Sequence, residues 1–172
     1  MQVENSVTIM RPRSEVYQFW HHLENLPRFM QHLKEVDVLD AKRSHWVARA
    51  PVGGDVEWDA EIVQEVPNES ISWRSVGDSD VQNAGTVRFT DGPADRGTQV
   101  SVALTYDVPG GKAGQMVAKL LGEEPSQTVR DDMRRLKQVL ETGEVVRSDG
   151  SMGGAGQGVT NQTPAQPRGR RP

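Results

Sequence analysis

Between Ser44 and Tyr106 the chain repeats one pattern, short runs whose apolar residues fall on alternate positions, and this restricts the fold more than any other feature. Asp55 to Val66 is the clearest run: Val56, Trp58, Ala60 and Ile62 share one phase, and Glu57, Asp59 and Glu61 occupy the other. A period of two sends alternate side chains to opposite faces of a strand, so one face is apolar and the other solvated. Ser44 to Val52 precedes this run. Ile71, Trp73 and Ser75, then Val87 and Phe89, then Val100, Val102, Leu104 and Tyr106 continue it. Gly53-Gly54, Pro67-Asn68, Gly77-Asp78 and Gly92-Pro93 separate the runs. Single-faced strands joined by short turns predict an antiparallel sheet covered on one side.

The phases also discriminate between registers. A three-residue loop, Gly53–Asp55, pairs Ala50 with Trp58, Ala48 with Ala60 and Trp46 with Ile62. A two-residue loop sets Arg49 opposite Trp58 and mixes charge into the apolar face, so the first register is expected. Across the next turn, Ile62 pairs with Trp73 and Ala60 with Ser75. The inner face then carries Trp46, Trp58 and Trp73, with Ala48, Ala50, Ala60 and Ser75 between them.

The cover for this face comes from the two ends of the chain. Val3, Val7 and Ile9 mark a first strand, with Asn5 in the apolar phase. Ser14 is the expected N-cap of a helix from Glu15 that presents Val16, Phe19, Trp20 and Leu23 on one side. Asn25-Leu26-Pro27 opens a second short helix with Leu26, Phe29, Met30 and Leu33, and Val36 and Val38 mark the strand that follows. At the far end, Pro125–Glu141 places Val129, Met133, Leu136 and Leu140 at helical spacing. Arg130, Asp131, Asp132, Arg134, Arg135, Lys137 and Gln138 fall on its other faces, with Asp131 set to pair with Arg135. An earlier helical stretch through Ala113, Met116, Val117, Leu120 and Leu121 is interrupted at Gly122–Pro125, because Pro125 has no N–H for the Leu121 carbonyl. From Gly143 onward Gly, Gln and Pro dominate. The division is therefore a domain over residues 1–142 and a disordered tail over 143–172.

Composition removes several function classes. The chain has 172 residues and no cysteine, so disulfides, thiolate metal sites and cysteine nucleophiles are excluded. A net charge of -4 argues against a nucleic-acid partner. The opening MQVENSVTIMRPR lacks the apolar core of a signal peptide, and no apolar run reaches about 18 residues, so stable membrane insertion is not expected and a cytoplasmic setting is.

RPRSEVYQFW, LENLPRFM, VEWDAEI, PNESISWRS, NAGTVRF and RGTQV, in this order, resemble the START-like (SRPBCC) superfamily, and within it the bacterial polyketide cyclase/dehydrase-type family. The resemblance covers Val3 to Thr142. It implies an α+β helix-grip fold: a curved antiparallel sheet of about seven strands wrapped around a long C-terminal helix, with two short helices after the first strand. It also implies an apolar cavity between sheet and helix, and a mobile mouth where Gly122–Pro125 comes near Met30 and Leu33. Relatives bind lipids, sterols, plant hormones, polyketides or quinones, and some are aromatase/cyclases.

The candidate cavity-lining residues are Trp46, Trp58, Ile62, Trp73, Ser75, Phe89, Tyr106, Met116, Leu120, Val129 and Met133. Large rings interleaved with alanines leave uneven space, which favours a cavity over a filled core. Tyr106 and Ser75 are the polar contacts expected there, and they are the candidates if the domain is an enzyme. The partner read from these features is a small hydrophobic or amphipathic molecule, with an aromatase/cyclase activity or an adaptor role as alternatives. No catalytic residue, cofactor or metal is assigned. Asp55, Glu57, Asp59 and Glu61 belong to the outer face, where His45, Arg49 and Arg74 are set to pair with them. His21 and His22 point about 100° apart on a helix and do not chelate one ion. His32 is read as a surface residue. Gly110-Gly111-Lys112 lacks the phosphate-loop pattern, and Arg168, Arg170 and Arg171 are read as part of a solubilising tail.

Overall fold

The alternating runs form a curled sheet of seven antiparallel strands in the order β1-β7-β6-β5-β4-β3-β2. The computed structural model describes residues 2–49, 54–77, 82–107 and 124–143. The strands are β1 (Gln2–Ile9), β2 (Leu33–Val38), β3 (Arg43–Ala48), β4 (Val56–Val66), β5 (Ser70–Val76), β6 (Gln82–Asp91) and β7 (Thr98–Asp107). Helix α1 (Arg13–His21) and a 3₁₀ turn (Leu23–Arg28) follow β1, and helix α2 (Pro125–Thr142) closes the fold. Both helices bury one side: Val16, Tyr17 and Trp20 from α1, and Val129, Asp132, Met133, Leu136 and Val139 from α2.

Several local expectations need correction. Pro12, not Ser14, occupies the N-cap position of α1, and no side chain caps it. The second short helix begins at Leu23 and is a 3₁₀ turn, because Pro27 in its interior has no N–H for an α-helical bond. Leu33 already belongs to β2. On α2, Asp132 is buried and takes Arg135, whereas Asp131 meets Gln127 and Arg134. Ala50, Val52, Met116, Leu120, the Gly110-Gly111 turn and the tail from residue 144 lie outside the described residues.

The β3–β4 register is Ser44↔Ala60, Trp46↔Trp58 and Ala48↔Val56, four residues away from the expected pairing. A four-residue slip is even, so every side chain keeps its face. What it changes is which rings meet. Trp46 and Trp58 stack across the strands with centroids 5.8 Å apart and planes at 26°. Trp46 also stacks on Trp73, at 6.4 Å and 20°. Three indoles thus lie in a row, and ring pairs of this kind are worth about 0.5–1.5 kcal/mol beyond their area.

The β4–β5 register matches expectation, with Ala60↔Ser75 and Ile62↔Trp73. Beyond Ile62 a β-bulge at Val63 inverts the phase. Val63 is left half exposed, and Glu65 sits opposite buried Ile71 on the concave side. Glu65 there accepts hydrogen bonds from Tyr17 Oη and His21 Nδ1, both at 2.5 Å, which staples α1 to the sheet. The Tyr17 phenol is pushed above its ordinary range, first by burial and then by the Glu65 carboxylate.

Gly85 is opposite Trp73 on β6. A Cβ built at Gly85 would stand 2.3 Å from Cζ2 and 2.6 Å from Cε2 of Trp73, so the indole lies where a side chain would be. Gly85→Ala is expected to lower stability by about 1–3 kcal/mol and to disturb the indole row. Chemical denaturation together with near-ultraviolet dichroism checks both effects. An unchanged midpoint would show that Trp73 has room to move.

On the convex face, His45 Nδ1 is 2.6 Å from Asp59, Arg74 is 2.7 Å from Glu61, and Lys34 is 3.1 Å from Asp55. These carboxylates form a cross-strand charge ladder, with Lys34 in the place expected for Arg49.

Candidate ligand cavity

Between the indole row and α2 the core does not close completely. A cavity of about 30 Å³ remains, room for about two waters. From the sheet it is bordered by Trp46, Trp58, Trp73, Tyr106 and Leu104, and from α2 by Val129 and Met133. Of the residues singled out in the sequence, Trp46, Trp58, Trp73, Tyr106, Val129 and Met133 therefore meet around one space. Ile62, Ser75 and Phe89 do not. Ile62 lies toward α1, beside Leu23 and Lys42. Phe89 is at the α1 end of β6, covered by Tyr17 at 5.8 Å and Trp20 at 6.4 Å. Ser75 is occupied elsewhere: past the last β5–β6 pair, Arg74↔Ala84, its Oγ accepts the Asn83 backbone N–H at 3.0 Å.

The polar side of the cavity was missed. His32, Asn83 and Asp132 border it together with Tyr106. The sequence places His32 at the surface, yet its side chain is 14% exposed. Asn83 lies opposite Tyr106 in the β6–β7 register, which brings both to the same end of the sheet. For Asp132 a signal was available: it follows Val129 by three residues and precedes Leu136 by four, positions that belong to the buried stripe.

Burial dominates the electrostatics here. Asp132 is pushed up to about 6, because desolvation outweighs the Arg135 guanidinium and the Gln31 N–H that favour its charged form. His32 is held down at about 4, by burial first and then by Arg135. Its Nδ1 stands 3.8 Å from Asp132 Oδ2, beyond hydrogen-bond reach. Tyr106 is driven above the usual phenol range by burial and by Asp132. At neutral pH the site thus combines a neutral imidazole, a neutral phenol and a carboxylate bonded to Arg135 at 2.5 Å.

The wall formed by residues 29–32 is a turn between the 3₁₀ element and β2. It is tied to α2 by polar bonds: Arg135 Nε donates to the Phe29 carbonyl at 3.0 Å, and Gln31 N–H donates to Asp132 Oδ1 at 3.4 Å. This segment carries Met30 and His32 against the cavity.

Among the described residues no group of three His, Asp or Glu side chains is arranged to hold a metal ion, and no helix is long and apolar enough to cross a membrane. A solved structure of a protein from Deinococcus radiodurans is similar to the chain, with 39% identity and a TM-score of 0.69, covering 84% of this chain and 99% of that one. An uncharacterised 17.2 kDa protein of Streptomyces lincolnensis is 29% identical over 140 residues, 81% of this chain and 89% of its own. An aromatase/cyclase from a Streptomyces species shares the fold at 14% identity and a TM-score of 0.65, covering 85% of this chain and 99% of that one. The sheet and its C-terminal helix form the START-like arrangement that the motifs resemble. The family model described as "Polyketide cyclase / dehydrase and lipid transport" matches residues 9–134, and the chain belongs to that family.

Proposed function

We propose that the domain holds a small hydrophobic or amphipathic molecule between the concave sheet and α2, in a cytoplasmic setting. One observation carries the reading: the core leaves its gap between the stacked indoles and the Val129–Met133 side of α2, and that gap is apolar except for one polar end. Pockets that bind organic molecules have this composition. At about 30 Å³ the gap is far smaller than a lipid or an aromatic polyketide, so binding requires a wall to move. The turn at residues 29–32 is the candidate, because it lacks regular structure and docks on α2 through a few polar bonds. Affinity then comes mainly from apolar area removed from water, at about 25 cal/mol per Å² before ordering costs.

The second reading is a cyclase-type enzyme. His32 and Asp132 favour it, since an imidazole and a carboxylate with opposite shifts at the edge of an apolar space are suited to moving a proton. Tyr106 remains a candidate under this reading, and Ser75, bonded to the Asn83 backbone, does not.

Native mass spectrometry of the full chain purified from its own host tests the first reading. A retained small-molecule mass, lost on unfolding, is the expected result. Persistent absence of any such mass, together with failure to bind an added panel of lipids, quinones and aromatic ketones, would sink it.

A further inference from the structure

Among the indoles of the concave face, Trp46 uses its N–H: it donates to Ser44 Oγ at 2.8 Å. Trp58 does not. It is 7% exposed, and among the described residues its buried Nε1 has no partner. Asn83 Nδ2 and His32 Nδ1 are likewise buried and unpartnered, and all three residues border the same cavity. Buried polar atoms are nearly always hydrogen-bonded, so three unpaired atoms around one gap call for an occupant. An indole N–H can only donate, and a side-chain amide nitrogen donates too, so the occupant must supply an acceptor. The gap is the size of one or two oxygen-bearing groups.

Charge narrows the choice further. The Asp132 carboxylate is 3.8 Å from the His32 ring, which disfavours a second anion, and the Arg135 guanidinium is already taken by Asp132 and the Phe29 carbonyl. A neutral oxygen with two lone pairs, a carbonyl, has the capacity to accept from two such donors. The wall beside it is a row of stacked indoles, which favours a flat conjugated neighbour to that carbonyl.

We propose that Trp58 Nε1 and Asn83 Nδ2, beside His32, form an oxygen subsite that selects ligands bearing a neutral conjugated carbonyl. This rests on the ligand-binding reading above and names which part of the ligand is recognised.

Acetophenone and α-methylstyrene test it, because they have nearly the same shape and differ in C=O against C=CH₂. Titrated into the full chain and followed by the indole N–H signals in ¹H–¹⁵N spectra, acetophenone is expected to bind about tenfold more tightly. It should also move the Trp58 N–H resonance downfield. Trp20 is an internal control: its Nε1 is also buried and unpartnered, yet it does not border the cavity, so its signal should stay in place. Trp58→Phe keeps the ring stack and should reduce the preference to within about threefold, and Asn83→Ala should act in the same direction. Equal affinity for the two probes with an unmoved Trp58 signal would overturn the oxygen subsite and leave ligand binding standing. Binding of neither probe up to its solubility would overturn both.

Discussion

Arg135→Ala should destabilise the domain by about 3–5 kcal/mol at pH 8, the usual cost of stranding a buried charge. Arg135 supplies the hydrogen-bonded cation for Asp132, which is 5% exposed, and also holds the Phe29 carbonyl. The deficit should depend on pH. Burial already raises the folded Asp132 value to about 6, and removing Arg135 removes the main opposing influence, so it rises further. A carboxyl raised on folding contributes its stability below the ordinary value of about 4 and loses it as pH climbs through the folded value. In the variant that loss continues to higher pH than in the wild type, so the deficit widens between pH 5 and pH 8. Urea denaturation at the two pH values measures it. A loss below about 1 kcal/mol at both would show that Asp132 is hydrated rather than buried. Replacing both partners, Asp132→Leu with Arg135→Leu, should recover part of the loss, since no charge is then stranded.

Trp20→Ala is the second large effect. Trp20 is 0% exposed and packs on Phe29 at 5.3 Å, Trp73 at 6.2 Å and Phe89 at 6.4 Å. Removing such a side chain costs about 3–5 kcal/mol, because the transfer free energy is lost and a void remains. Its position gives the result a further use. Trp20 plugs the α1 end of the concave face, and Trp73 separates that plug from the cavity. Added indole should therefore raise the melting temperature of the variant more than that of the wild type. A loss below about 2 kcal/mol, with no response to indole, would mean that the surrounding rings collapse into the space.

How much of this was legible beforehand follows from what alternation encodes. Period two fixes which side of the sheet a residue faces, and Trp46, Trp58 and Trp73 did reach one face. It does not fix loop length, so the β3–β4 register was missed by an even number of residues while the faces survived. A bulge leaves no mark in the apolar pattern, and the inward turn of Glu65 after Val63 was therefore invisible. Asp132 was misplaced for another reason. Its spacing put it in the buried stripe, but its charge argued for the surface, and only three-dimensional proximity to Arg135 and Gln31 makes its burial tolerable. His32 belongs to a turn, where periodicity says nothing about direction, whereas Asn83 shares the alternating phase of Val87 and Phe89 on β6 and carried a readable signal.

The attachment of β1 also bears on the order of events during synthesis. Among the described residues β1 pairs only with β7, from Gln2↔Thr105 to Ile9↔Thr98. Its far end is fastened to α2: Lys137 Nζ donates to the Thr8 carbonyl at 2.7 Å, Met10 N–H to Glu141 at 2.8 Å, and Arg11 to the Leu140 carbonyl at 2.9 Å. β1 thus gains its neighbour only after β2 through β6 have been made, while those strands can pair as they appear. Until then Val3 and Ile9, both buried in the finished fold, are exposed to other nascent chains.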